Sequence, residues 1–129
     1  MNHINKQQLQ ELQIELSNSL QKSRQKIVDI LMNSSNETHH LAAQQIKQVS
    51  PDELLDLLPK FKISCVSDEI FTIRRIDAAL NNIQIDIYGM CADCESEITV
   101  DELKINPARQ RCLECEKNYQ KQKNNHFKL

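Results

Sequence analysis

The sequence predicts a mainly α protein: an antiparallel, coiled-coil-like helical hairpin followed by a small four-cysteine finger and a C-terminal helix. Three observations predict it. Only one glycine and three prolines occur in 129 residues, so long stretches run without a helix breaker. Two separate segments carry apolar residues at helical spacing. Four of the five cysteines fall in a C-x2-C-x17-C-x2-C pattern. The same composition excludes other classes. A lone Gly89 leaves no glycine-rich phosphate loop, and 4% aromatics without tryptophan argue against an aromatic-rich β-sandwich. The expected organisation is a helical region over residues 1–87, with arms at 5–32 and 66–87 around a variable middle or tip segment at 37–65. The finger and closing helix take 88–129.

The first arm rests on Leu9, Leu12, Leu16, Leu20, Ile27 and Leu31, with Ser23 in the gap. This spacing approaches an eleven-residue repeat, which keeps one apolar stripe on a nearly straight helix. The polar run Asn33-Ser34-Ser35-Asn36 is the first break, and Ser35 or Asn36 can cap a second helix from Glu37. Leu41, Ala42, Ile46 and Val49 form its apolar face. Ser50-Pro51-Asp52-Glu53 is a helix start, with a cap, a proline in first position and acids in the first turn. Leu54, Leu55, Leu57 and Leu58 follow, and Pro59 is expected to stop that helix. Phe61 to Ser64 alternates like a short strand. In the second arm Val66, Ile73, Leu80 and Ile87 recur every seven residues, with Ile76 and Ile83 between them and Ser67-Asp68-Glu69 as cap and first-turn acids. Its natural partner is the leucine stripe, with Leu12, Leu16, Leu20 and Ile27 against Ile73, Ile76, Leu80 and Ile83.

Cys91, Cys94, Cys112 and Cys115 carry the chemistry. A two-residue gap lets both thiolates of a knuckle face one ion, and two knuckles complete a tetrahedron of soft ligands. One structural zinc is the expected occupant; an iron–sulfur centre or disulfides are the alternatives. The odd cysteine count and an N-terminus without a signal-peptide core disfavour disulfides. Four thiolates leave no open position for water, and no nucleophile–base pair stands elsewhere, so an enzyme is not expected. His39 and His40 read as solvated, His3 and His126 as parts of loose ends, and Cys65 as a small buried apolar residue. Residues 88–116 hold seven acids against three bases, a net of −4 before the cluster's own charge. Such a finger repels a phosphate backbone, so direct DNA binding is not expected. The whole chain is near neutral at −2, and no apolar run is long enough for a membrane helix. A cytoplasmic location is the expectation.

Arg74-Arg75-Ile76-Asp77-Ala78-Ala79-Leu80, Tyr88-Gly89-Met90-Cys91-Ala92-Asp93-Cys94, Leu103 with Asn106-Pro107, and Cys112-Leu113-Glu114-Cys115 together resemble the DksA/TraR family of bacterial transcription regulators. The cysteine spacing, the aromatic-Gly before the first knuckle and the proline five residues before the third cysteine match, and the resemblance covers about residues 66–120. It implies a protein that binds RNA polymerase by placing a helical hairpin in the secondary channel, without contacting DNA. Several members act with guanosine tetraphosphate in the stringent response. By this resemblance Arg74 or Arg75 would supply the basic residue of the second arm, whereas Glu116 stands where a base follows the last cysteine. Two departures stand out. Glu95 replaces the glycine that follows the second cysteine. The tip motif Asp-x-x-Asp-x-Ala is absent; Asp52 and Asp56 are four apart, with no alanine after them. The other reading is a zinc-stapled helical adaptor for a different protein partner.

Overall fold

The computed structural model describes residues 3–61 and 64–127. Among these it contains six α-helices and no strand. In chain order they are α1 (Lys6–Met32), α2 (Glu37–Gln48), α3 (Pro51–Phe61), α4 (Ser67–Gln84), α5 (Val100–Ile105) and α6 (Leu113–Phe127). A single 3-10 turn, Ser64–Val66, leads into α4. The fold is thus mainly α, as the spacing of apolar residues predicts. The chain forms two compact units, one of residues 17–77 and one of residues 1–16 with 78–129.

Capping explains where the helices begin. The Asn5 side chain accepts from the Gln8 N–H at 2.7 Å while the Gln8 side chain accepts from the Asn5 N–H at 3.0 Å, a reciprocal box at the start of α1. Asn36 caps α2 by accepting from Thr38 N–H at 2.8 Å, and Ser50 accepts from Glu53 N–H at 3.3 Å ahead of α3. The end of α4 has another cause. Ile87 N–H donates to Asn82 O at 3.0 Å and Asp86 N–H to Ile83 O at 3.3 Å, with Asp86 at φ 65°. This is a Schellman turn built on aspartate instead of glycine. The second arm therefore ends at Gln84, and Ile87 is 40% exposed instead of continuing the heptad.

In the unit of residues 17–77, Leu20, Ser23, Ile27, Val28 and Leu31 of α1 are buried, as are Val66, Ile73 and Ile76 at and beyond the start of α4. Helix α2 packs on α3. Its buried face is Ala42, Ala43 and Ile46, and Leu41 points outward at 62% exposure. The reason is angular: at about 100° per residue, Leu41 falls about 100° beyond the near edge of the arc that the other three define. In α3, Leu54 and Leu58 are buried one turn apart. Pro59 lies inside this helix, which continues to Phe61. A proline there forfeits one backbone hydrogen bond, and near the last turn that loss is too small to end the helix. Of the expected Phe61–Ser64 strand, residues 62 and 63 lie outside the described residues, while Phe61 closes α3 and Ser64 opens the 3-10 turn, so neither described end is a strand. Arg24 donates from Nη1 to Val49 O at 2.8 Å, placing a cation on the carbonyl end of α2.

In the unit of residues 1–16 and 78–129, Ile4, Leu12, Leu16, Ala79, Tyr88, Ile98 and Leu103 are buried. Ile4, Leu9, Ile83, Asp86 and Tyr88 line a small cavity of about 30 Å³. The first turns of α1 therefore lie beside the last turns of α4, in the antiparallel sense of a hairpin.

Candidate metal centre

The first knuckle is a tight loop closed by backbone bonds. Ile98 N–H donates to Gly89 O at 2.7 Å, Cys91 N–H to Ser96 O at 2.8 Å, and Glu95 N–H to Cys91 O at 3.0 Å. Met90 and Glu97 form an isolated antiparallel bridge at its base. Gly89 sits at φ 88°, a left-handed backbone that calls for glycine; a Cβ there would also stand 2.6 Å from Ile4 Cδ1, a flexible side-chain end that would have to shift. Glu95 sits at φ 63°, which is why glycine suits the position after the second cysteine and why glutamate is strained there.

The second knuckle lies at the start of α6. Glu116 N–H donates to Cys112 O at 2.9 Å, and Cys115 N–H points at Cys112 Sγ at 3.5 Å. A helix N-terminus so placed favours a thiolate. Two ties join the knuckles: Ala92 N–H donates to Gln110 O at 2.8 Å, and Arg111 Nε to Asp93 Oδ2 at 2.9 Å. The Arg111 guanidinium stacks over Tyr119, 4.0 Å from its centroid. Between the two knuckles the short helix α5 is capped by Thr99, whose hydroxyl accepts from Glu102 N–H at 3.2 Å. The Tyr88 hydroxyl donates to Pro107 O at 2.7 Å, fastening the connecting loop to the base.

All four sulfurs lie within 4.8 Å of one another and can hold one metal ion. The fit to zinc is geometric as well as chemical. A tetrahedron with metal–sulfur bonds of about 2.3 Å has edges of about 3.8 Å, and Cys94 Sγ lies 3.8 Å from Cys112 Sγ. Cys91 is buried, Cys112 and Cys115 are half-buried, and Cys94 is exposed. Burial pushes the Cys91 thiol up, but the N–H groups of Cys94, Cys112 and Asp93 outweigh it and bring it down to about 6. The Ser96 hydroxyl, 2.9 Å from the sulfur, lowers the Cys94 thiol. Cys115 is raised, first by its hydrogen bond with the Cys112 sulfur and then by that with Cys94.

The other residues singled out in the sequence are not part of this four-sulfur set. Asp52 and Asp56 are exposed one turn apart on α3, and Arg74 is exposed on α4; all three belong to the 17–77 unit. Arg75 is half-buried on α4, in the same unit, 5.7 Å from the Phe71 ring. Cys65 is exposed, not buried, since it falls in the 3-10 turn before α4 while Val66 takes the interior position. His39 and His40 are half-buried, because both turn back to Ser34, at 2.7 Å to its hydroxyl and 2.6 Å to its carbonyl. His3 does not belong to a loose end: its Nε2 donates to Ile98 O at 2.8 Å and Glu97 stands 3.8 Å from Nδ1. Ser96, the Asp93–Arg111 pair and His3 carry no signal in spacing. Helix α5 does carry one, in Thr99-x-x-Glu102.

No family model matches the chain, and no curated protein matches it. Among solved structures, that of the transcription factor DksA2 from Pseudomonas aeruginosa matches with a TM-score of 0.60 and 17% identity, over 95% of this chain and 90% of that chain. The likeness is one of fold, and it runs nearly end to end.

Proposed function

We propose that this chain, whose fold is DksA-like, is a transcription regulator that binds RNA polymerase at its secondary channel and does not act through DNA. The observation that carries the reading is the nearly end-to-end fold match to DksA2. The motif resemblance around Arg74–Leu80 and the two knuckles supports it independently. Cys91, Cys94, Cys112 and Cys115 would hold one zinc, which supplies cross-linking and no reaction, since four thiolates fill its coordination. The role is therefore not enzymatic. Between Tyr88 and Glu116 the excess of acids favours a protein partner over nucleic acid. A polymerase partner places the protein in the cytoplasm, and among the described residues no helix is long and apolar enough to cross a membrane.

Asp52 and Asp56, on the exposed face of α3, are the candidates for contact with polymerase. Their spacing differs from the family's tip motif, so regulation is expected to be weaker than, or different from, that of motif-bearing members. Arg74 and Arg75 are candidates for guanosine tetraphosphate; Glu116, beside the last cysteine, opposes a polyphosphate there. The deciding experiment is co-purification with RNA polymerase core, competed by a known secondary-channel binder. Displacement supports the reading, and absence of binding leaves the adaptor reading. Asp52→Asn with Asp56→Asn should reduce transcript output while binding is retained; unchanged output would remove these residues from the contact.

A further inference from the structure

Cys94 is the exposed corner of the four-sulfur set, whereas Cys91 at the other end of the same knuckle is buried. One residue holds both. The Ser96 carbonyl accepts from Cys91 N–H at 2.8 Å, and the Ser96 hydroxyl lies 2.9 Å from Cys94 Sγ. The hydroxyl can act in only one direction once a metal is bound. A coordinated thiolate has no proton, so the Ser96 O–H must donate to the sulfur. Such a donor stabilises the sulfur's negative charge in a set of four thiolates, which carries two more charges than a divalent ion neutralises.

We propose that Ser96 is a positioning residue of the metal centre, whose hydroxyl holds the Cys94 thiolate in the ligand set and slows loss of the ion from its exposed corner. The inference rests on the reading that the four cysteines hold zinc. The backbone at Ser96 makes the test selective. Ser96→Ala keeps the carbonyl that braces Cys91 and removes only the donor to Cys94. Ser96→Thr restores a hydroxyl.

The test uses the full chain, loaded with zinc and assayed for metal content, then challenged with a chromogenic chelator. Outer-shell partners of metal ligands change affinity on the order of tenfold or more. Ser96→Ala should therefore release zinc on the order of tenfold faster than the unmodified chain, and Ser96→Thr should recover much of the difference. A second readout is the cobalt-substituted protein. Loss of a hydrogen bond raises the energy of the sulfur lone pairs, so the thiolate-to-cobalt charge-transfer band should move to longer wavelength in Ser96→Ala and return in Ser96→Thr. Equal release rates and an unmoved band in a fully loaded Ser96→Ala protein would overturn the role of Ser96 while leaving the zinc reading intact. An unmodified chain that takes up neither zinc nor cobalt would overturn both.

Discussion

Glu95 and Tyr88 show how much of the finger is decided by single side chains. Glu95 has a left-handed backbone that costs a residue with a Cβ about 1–2 kcal/mol. Glycine removes that strain but loosens the unfolded chain. Glu95→Gly should therefore stabilise by about 0.5–1 kcal/mol, read as a higher denaturant midpoint. A lower midpoint would mean that the glutamate side chain holds the knuckle in a way its exposed position does not indicate. Tyr88 is buried with its hydroxyl on Pro107 O. Burial first, and the Glu15 carboxylate second, hold its phenol well above the usual tyrosine value. The folded form thus requires the neutral phenol. Its contribution is complete below about pH 10, the value of an unfolded tyrosine, and is lost as pH rises beyond that. Tyr88→Phe should cost about 1 kcal/mol at neutral pH, yet flatten the alkaline fall in stability. Parallel alkaline curves for the two proteins would contradict this.

At the scale of elements, helix starts were legible and helix ends were not. Starts are written in short polar side chains next to the backbone they satisfy, as at Asn36 and Ser50. The end of α4 depends on Asp86 taking a conformation that the sequence marks with glycine elsewhere, so the heptad through Ile87 overran it. Pro59 erred the other way, because a breaker near the last turn of α3 breaks little. The convergence of the four cysteines was legible because metal geometry constrains such spacing directly. Ser96 and Arg111 were not, since the atoms they touch depend on how each knuckle folds. In α3 the leucines separate cleanly: Leu58 is buried and Leu57 only half-buried. Leu58→Ala should cost about 2–5 kcal/mol and Leu57→Ala clearly less. Comparable losses in thermal unfolding would mean that α3 buries a different face.

For the whole molecule, the two compact units divide the labour. The cysteines, Gly89, Tyr88 and the buried Ile98 and Leu103 lie in the unit of residues 1–16 and 78–129; α2 and α3 lie in the other. Structural zinc contributes on the order of 10 kcal/mol in isolated fingers. Stripping the metal should thus expose the amides of Cys91, Ile98 and Leu103 to hydrogen exchange, while those of Leu54 and Leu58 keep most of their protection. Uniform loss across both units would show that they unfold as one.

The hydrogen bond from His3 to Ile98 spans 95 positions of sequence. In a growing polypeptide, residue 3 leaves the ribosome well before its acceptor exists. At about 5–20 residues per second the delay is roughly 5–20 s. Throughout that interval Ile4 has no Gly89 to rest on, whereas residues 17–77 are contiguous and can close on themselves as they emerge. The order of synthesis therefore favours the unit of residues 17–77 first, with the beginning of the chain docking onto the finger only when synthesis has passed Ile98. Nascent chains that end shortly before Cys91 and are stalled on a long flexible linker, so that residues 17–77 have cleared the ribosome, should already protect Leu54 and Leu58 from proteolysis while leaving the peptide bond between His3 and Ile4 open to cleavage.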